Sequence, residues 1–377
     1  MPKHHYPSKE PIESLITILR EVPDPRIDRS KDHQLTDILV IALCTILVGG
    51  DSFYDMEEFA EVRLDWLKTF LPLPNGAPSH DTFNRVFQAL DHNQLADSLS
   101  RWTQSVRVVL GGEVVALDGK SLRRALDQGE SFRTIVSAWA TESGLLLGQR
   151  KVRDKSNEIT AVPELLRVLE LAGCIVTADA MHCQKNIAKE IIEADADYVL
   201  ALKGNQGTAF AEIKTFLDDA VKNQAKHLAG KETIDKGHGR IETRRFWQTE
   251  EIGWFADRQG WEGLRSVGLV EAVRETGARR SVERRYYLSS LKTDVEKFAR
   301  AVRGHWSIEN QLHWVLDVIF GEDQSRARTE QSAENLAALR RLAVNILRRD
   351  KKCQRSLKGK LLRAAIDPDY LKLLLST

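Results

Sequence analysis

The sequence predicts an α/β protein: a mixed sheet with helices packed on it, preceded by an all-helical segment. Three observations carry this. Through the first hundred residues apolar side chains recur three and four apart, the period of a helix with one buried face. After Gly111-Gly112 short β-rich runs take over and alternate with helix-period runs. The first three β-rich runs follow one another directly before an αβαβ alternation begins, which implies a mixed sheet with helices packed on it.

Taken in order, helices are expected over Glu13 to Arg20, Leu35 to Leu47, Tyr54 to Phe70 and Asp81 to Leu90. Turn-like separators divide them: Pro23-Asp24-Pro25, Gly49-Gly50-Asp51 and Leu71-Pro72-Leu73-Pro74-Asn75-Gly76, with Ser79 placed to cap the last helix. Strands are expected over Glu113 to Leu117, Phe132 to Ala140 and Leu145 to Val152. A helix (Thr160 to Leu171), a strand (Cys174 to Thr177), a helix (Gln184 to Ala194) and a strand (Tyr198 to Leu202) then follow. The polar stretch from Gly204 to about Arg285 breaks the alternation with one helix and strand-like runs such as Arg240 to Thr249 and Ser266 to Arg274. Thr293 with Glu296 reads as a capping box that opens a long helical stretch reaching Phe320. The implied division is residues 1–110 helical, 111–350 α/β with 204–285 inserted, and 351–377 a basic helical tail.

At 377 residues the chain has room for two or three domains. Its 55 basic and 54 acidic side chains exclude a histone-like polycation, and 42% hydrophobic residues exclude a disordered tail. The balance is uneven along the chain. Residues 1–110 carry 11 Lys or Arg against 16 Asp or Glu, whereas Arg326 to Arg363 holds 12 basic residues and 3 acidic ones. A polyanionic partner responds to such local surplus rather than to the total. Four scattered cysteines form no Cys-x-x-Cys pair, so neither a disulfide framework nor a thiolate zinc site is indicated, and a reducing compartment fits. The most apolar run, Ile38 to Val48, is shorter than the roughly 20 residues that span a bilayer. A cytoplasmic protein without membrane association is the expectation.

Two aspartates stand out. Asp118 follows Val114-Val115-Ala116-Leu117 and precedes Gly119; Asp179 follows Cys174-Ile175-Val176-Thr177-Ala178 and precedes Ala180. Each sits where a buried strand is expected to end, the edge at which ligand sites gather in sheets with parallel strands. On neighbouring strands they would lie side by side, and like charges that close call for a hard divalent cation such as Mg²⁺ or Mn²⁺. Taken singly, each also reads as a turn or cap residue. A third carboxylate comes from a later helix, where His305, Glu309, His313 and Asp317 form a stripe beside the apolar Ile308, Leu312, Val315 and Ile319. An ordinary solvent-facing stripe has the same pattern, and the His-Glu-x-x-His of a zinc site is absent. Gly119-Lys120-Ser121 looks like the end of a phosphate-binding loop, but Val114 stands where that loop needs glycine, so no nucleotide cofactor is expected. Lys120, Arg123 and Arg124 read either as phosphate contacts beside a metal site or as solvated helix charges.

The segments Ala116-Leu117-Asp118-Gly119-Lys120, Lys155-Ser156-Asn157-Glu158-Ile159, Thr177 to Lys185, Leu202-Lys203-Gly204-Asn205-Gln206, His238-Gly239-Arg240 and His305 to Asn310 occur in an order seen in one family. With Asp24-Pro25-Arg26 and Pro78-Ser79-His80-Asp81-Thr82 added, the chain resembles, over nearly its whole length, bacterial insertion-sequence transposases of the H-repeat-associated (Rhs-linked, ISAs-type) family within the DDE superfamily. The resemblance implies a ribonuclease-H-like mixed-sheet catalytic core with a β-rich insertion, preceded by an all-helical N-terminal accessory domain. It makes Asp118, Asp179 and Glu309 the catalytic, metal-holding residues, with Asp317, Glu322 and Asp323 as alternatives to the glutamate. Where related transposases carry Tyr, Arg and Lys around that glutamate, this chain has Val302, His305 and Leu316.

The implied activity is metal-dependent DNA cleavage at element ends and 3′-OH strand transfer into target DNA, with two Mg²⁺ or Mn²⁺ ions per site. The implied partners are the terminal inverted repeats, target DNA and further copies of the chain assembled on DNA. Lys120, Arg123, Arg124, Lys203, Arg240, His305, His313, Arg326 and Arg328 are the candidate DNA contacts. Alternatives are a cleavage-only nuclease and an inactive DNA-binding relic; a paired-carboxylate glycosidase fits the basic C-terminal segment poorly.

Overall fold

The computed structural model describes residues 15–27, 31–108, 111–123, 133–152, 158–237, 239–277 and 279–376. Among the described residues before 108 the regular elements are helices: α1 (Leu15–Arg20), α2 (Leu35–Leu47), α3 (Phe53–Val62), α4 (Leu64–Leu67), α5 (His80–Ala89) and α6 (His92–Val106). Ser79 caps α5 as its sequence position indicates. The single helix expected over Tyr54 to Phe70 is two, the first opened by a Ser52/Asp55 capping box. Helix α6 lies beyond the four helices expected.

Among the described residues nine strands form one sheet: β1 (Val114–Ser121), β2 (Thr134–Ala140), β3 (Leu145–Lys151), β4 (Ile175–Ala178), β5 (Asp197–Leu202), β6 (Ala229–Gly237), β7 (Arg240–Thr249), β8 (Ser266–Thr276) and β9 (Arg279–Ser289). Their order is β3-β2-β1-β4-β5-β9-β8-β7-β6. β1, β2 and β3 pair antiparallel, while β4 and β5 run parallel to β1. The inserted strands do not form a separate sheet, because β9 pairs antiparallel with β5 from Val199↔Ser289 to Leu202↔Tyr286.

Alternation along each strand sorts the core. Leu117, Val176 and Leu200 pack against α7 (Glu158–Leu166), α8 (Lys185–Glu193) and α9 (Gly207–Lys222) on one face. Val114, Ile175, Val199 and Phe246 face Phe298 of α10 (Val295–His305) on the other. Gly268 permits that approach, since a Cβ there would meet the Phe298 ring at 2.4 Å. The cap of α10 is Asp294, which accepts from the Lys297 N–H at 3.1 Å, rather than the expected Thr293. A carboxylate serves this role well, and the Thr293 N–H is already bonded to Glu250.

The remaining helices, α11 (Trp314–Val318), α12 (Ser332–Arg349), α13 (Leu357–Ile366) and α14 (Pro368–Leu375), share one apolar cluster with α1–α6; it joins Leu39, Leu43, Phe87 and Trp102 to Leu339, Leu347, Leu361 and Leu371. The stretch expected as a basic tail thus packs two of its helices into a core. Helix α12 is buried on every side from Ser332 to Leu347, so its polar residues need internal partners. Arg341 pairs with Glu322, Glu334 with Arg133 and Lys151, and Asn335 donates to the Phe87 and Leu90 carbonyls at 2.9 Å.

The register of β5 against β9 produces an overhang. Leu202, the last residue of β5, lies opposite Tyr286, so Arg279 to Arg285 continue past the carboxyl end of β5. The paired stretches of β8, β7 and β6 continue with them. At about 3.4 Å per residue this four-stranded ledge reaches roughly 20 Å beyond the edge from which Asp179 emerges. Among the described residues no helix is long and apolar enough to cross a membrane.

Candidate active site

Strand β1 does not end at Asp118. It runs on to Ser121, with Asp118 opposite Ser137 of β2. What ends there is the parallel pairing with β4, whose last matched pair is Leu117↔Ala178. Asp118 and Asp179 are therefore the next residues on two adjacent parallel strands, at the point where the sheet splits. Asp179 turns at once into a short helical turn, Ala180–His182, and its Oδ1 accepts from the Met181 N–H at 3.1 Å. That turn is clamped from β5: Asn205 donates to the Ala180 carbonyl at 2.6 Å and Gln206 to the Cys183 carbonyl at 3.0 Å. The Leu202-to-Gln206 segment thus fixes the backbone that carries Asp179.

The long helix expected from Thr293 to Phe320 is broken. After α10 the chain makes a π-helical turn over Glu309–His313, in which the Trp314 N–H bonds to the Glu309 carbonyl five residues back, before α11. Such widened turns concentrate at functional sites because they re-aim side chains without ending the helix. Glu309 reaches the same cavity as the aspartates. The cavity is lined by Asp118, Thr177, Asp179, Lys203, Arg285, His305, Trp306 and Glu309, and Val302 contributes to its apolar wall.

Its electrostatics are those of crowded acids. Burial, and then the Asp179 charge, push the Asp118 carboxyl up to about 7; a hydrogen bond from the Gly119 N–H at 2.9 Å opposes them. Burial also raises Asp179, but the His182 side chain, with Nδ1 3.0 Å from Asp179 Oδ1, together with the His182 N–H and His305, leaves that group below its ordinary value. Burial lowers His305 to about 4, and it lowers His313 to about 3 with help from Arg341 and Lys120. Both imidazoles are neutral near pH 7 and bring lone pairs and hydrogen bonds rather than positive charge; His305 Nδ1 lies 3.2 Å from Thr177 Oγ1. Asp118, Glu309 and His313 each offer one donor atom, and the three atoms lie within 4.8 Å of one another. An acid set that cannot all ionise without a counter-charge, joined by an imidazole, is a donor set that fits a divalent cation.

The other candidate residues divide. Lys203 is exposed on the cavity rim, and Arg240 is exposed at the tip of the β6–β7 hairpin. Lys120 is not a free phosphate contact. It is buried, its Nζ lying 2.7 Å from Asp317, 3.0 Å from Asp323 and 3.6 Å from Glu322, and these carboxylates outweigh the burial that would lower its pKa. The three acids considered as alternatives to Glu309 are thereby gathered on Lys120. Arg123 is exposed, with Nε 3.3 Å from Asp323; Arg326 and Arg328 are exposed on the following loop. Arg124, Lys155 to Asn157 and His238 lie outside the described residues.

Comparison with known proteins identifies the family. The family model described as "Transposase DDE domain" matches residues 110–346, and the one described as "DDE_Tnp_1-associated" matches residues 16–103. The chain is 37% identical to "Putative transposase YncI" of Escherichia coli O157:H7, across 97% of this chain and 95% of that one. It is 35% identical to "H repeat-associated putative transposase YhhI" of Escherichia coli strain K12, across 96% and 97%. The chain belongs to the H-repeat-associated DDE transposases.

In this transposase several resemblance motifs turn out to be local clasps. Asp24 grips Arg26 through both oxygens at 2.9 and 2.8 Å, and His80 Nδ1 sits 2.7 Å from Glu57. The transposase also brings to its cavity residues that no motif singled out for a role. Arg285 lies over the Trp306 ring at 4.6 Å, and this pair forms the wall shared with a second groove lined by Arg244, Arg274 and Arg303. Trp306 sits inside a quoted motif and is 45% exposed, an unusual state for a large ring. Arg285 carries no local signal, because only strand register sets it beside the site.

Proposed function

We propose that this transposase cuts DNA strands at insertion-sequence ends and joins the freed 3′-OH to target DNA, using a divalent-metal site formed by Asp118, Asp179 and Glu309 on a ribonuclease-H-like core. One observation carries the reading: three carboxylates from distant segments line a single cavity at a split in a mixed sheet. The strand order β3-β2-β1-β4-β5 supports the choice of core. Divalent ions held there would supply water activation and charge stabilisation at the leaving oxygen.

The chain's own part is positioning. Asp118 interacts with both Asp179 and Glu309, so it is the acid able to serve two ions. His182, Asn205 and Gln206 hold the Asp179 turn in place. Lys203 and Arg285 at the rim meet the phosphates of the strand being cut, and the arginine ledge carries the flanking duplex.

The test is a labelled element-end duplex incubated with Mg²⁺ or Mn²⁺ and the wild type, Asp118→Asn or Asp179→Asn protein. Each substitution is expected to cut the cleavage rate about a thousandfold or more while leaving duplex binding intact. Cleavage that persists in both variants overturns the assignment. Cleavage without joining to a target plasmid overturns strand transfer and leaves a nuclease.

A further inference from the structure

We infer that His313 is a metal ligand of this site, so that one ion is held by two carboxylates and an imidazole while the other is held by oxygen alone. The inference rests on the metal-dependent reading above and adds a residue to it. His313 is the last residue of the π-helical turn that begins at Glu309, and its Nδ1 lies 3.6 Å from Asp118 Oδ2. That separation is too long for a hydrogen bond, so the ring is not simply pinned by the aspartate. Its Nε2 is buried and has no hydrogen-bond partner among the described residues.

A largely enclosed imidazole whose Nε2 has no hydrogen-bond partner among the described residues, and with two carboxylates beside it, has the environment of a ligand waiting for its ion. Donor atoms arranged octahedrally at about 2.1 Å from one ion stand roughly 3 to 4.2 Å apart. The three donors, within 4.8 Å of one another, need only small side-chain rotations to close. His305 differs, because its Nδ1 is already engaged by Thr177.

A nitrogen ligand changes which ion is preferred. Imidazole favours the later first-row metals, whereas Mg²⁺ selects oxygen, so this position discriminates against Mg²⁺ relative to Mn²⁺ or Co²⁺. The second position does not.

The experiment is Mn²⁺ titration of the full-length protein followed by electron paramagnetic resonance, with pulsed measurement of ¹⁴N coupling to the bound ion. Wild type is expected to show a directly bound nitrogen. His313→Ala is expected to lose that coupling and to bind Mn²⁺ about tenfold more weakly at one position, with Mg²⁺ affinity changed less. His313→Asn supplies an amide in place of the imidazole and keeps the test usable if the alanine variant folds poorly. It is expected to lose the coupling while retaining more affinity than alanine, and His305→Ala is expected to retain the coupling. Mn²⁺ binding with no nitrogen coupling, or coupling unchanged in both His313 variants, overturns the inference and leaves the carboxylate site standing. Mn²⁺ binding that does not occur at all overturns both.

Discussion

Two regions of this chain hold a surplus of basic residues, and the fold treats them differently. The segment from Arg326 to Arg363 has 12 basic residues against 3 acidic ones, and the four ledge stretches (residues 231–237, 240–246, 270–276 and 279–285) have 10 against 6. In the first region the central arginines are internal. Arg340 and Arg341 are buried in α12, Arg348 and Arg349 lie over the rings of Trp139 and Trp102 at 5.0 and 5.5 Å, and Lys360 caps the end of α12 through the Leu347 carbonyl at 2.7 Å. In the ledge, Arg240, Arg274, Arg279 and Arg280 are exposed, on strands that project past the edge from which Asp179 emerges. A count of charges along the sequence ranks the first region as the stronger DNA grip. Burial removes most of that difference, because only an exposed cation releases counterions when it meets phosphate. Seven of the twelve remain exposed in the first region and six of the ten in the ledge, and register sets the ledge's six past the carboxyl end of β5.

The sharpest way to break this comparison is to remove one partner of an internal pair. Arg341→Met leaves the Glu322 carboxylate buried beside the core and is expected to cost about 3–5 kcal/mol, measured as a lower urea midpoint with unchanged slope. Adding Glu322→Gln to the same protein is expected to recover much of that loss. A single variant as stable as wild type would mean that Arg341 belongs with the solvated charges.

Acid should separate the regions next. His92 is fully buried between α6 and α12, and burial lowers its imidazole from 6.5 to about 4. The unfolded chain takes up that proton first as pH falls, so the stabilisation is complete above pH 6.5 and drains away towards pH 4. The slope is about 1.4 kcal/mol per pH unit, giving a loss of about 2 kcal/mol at pH 5. The melting temperature should fall less between pH 7 and pH 5 for His92→Leu than for wild type. Identical slopes in the two proteins would sink the account.

How much of the fold and site is legible in the sequence follows the range of the interaction. Period-2 and period-3.6 patterns are local, so the β-rich runs and most helices are visible, and the two aspartates are visible as breaks at the ends of apolar runs. Helix α6 carries the same signal, Leu95, Leu99, Trp102 and Val106 standing four, three and four apart, although the expected helices stop at Leu90. What the pattern does not show is that Ser98, Ser100 and Thr103 are buried with them, the Ser100 hydroxyl donating to the Leu147 carbonyl at 2.6 Å. The π-helical turn escapes because one extra residue within a helix barely disturbs its periodicity. The Lys120 cluster escapes because its partners are some two hundred residues away. Arg285 beside Trp306 is hidden by strand register, which no short stretch of sequence reveals.

The ledge itself gives a smaller, cleaner effect. Replacing Arg240, Arg274, Arg279 and Arg280 by alanine is expected to weaken duplex binding roughly tenfold or more. The slope of log affinity against log salt should flatten by about 0.9 for each phosphate no longer neutralised. Stability should change little, since exposed ion pairs contribute little. An unchanged salt slope would move the DNA path off the ledge.

The smallest effect is expected at the far end of α12. That helix has 18 residues and so spans about 27 Å. Its first turn is tied to β2's approach, with Arg133 Nη1 3.2 Å from Glu334, and β2 pairs with β1 beside Asp118. Arg326 and Arg328 precede that near end, whereas Lys351 and Lys352 follow the far one, and all four are exposed. Equal charge at opposite ends of a helix buried from Ser332 to Leu347 is a controlled comparison of position alone. Arg326→Ala with Arg328→Ala should flatten the salt dependence by the equivalent of one to two phosphates, about 0.9 to 1.8 in slope, and Lys351→Ala with Lys352→Ala should leave it unchanged within error. Equal flattening by both pairs would show that DNA wraps the whole helical core, and the distinction between internal and overhanging charge would then no longer predict where the duplex runs.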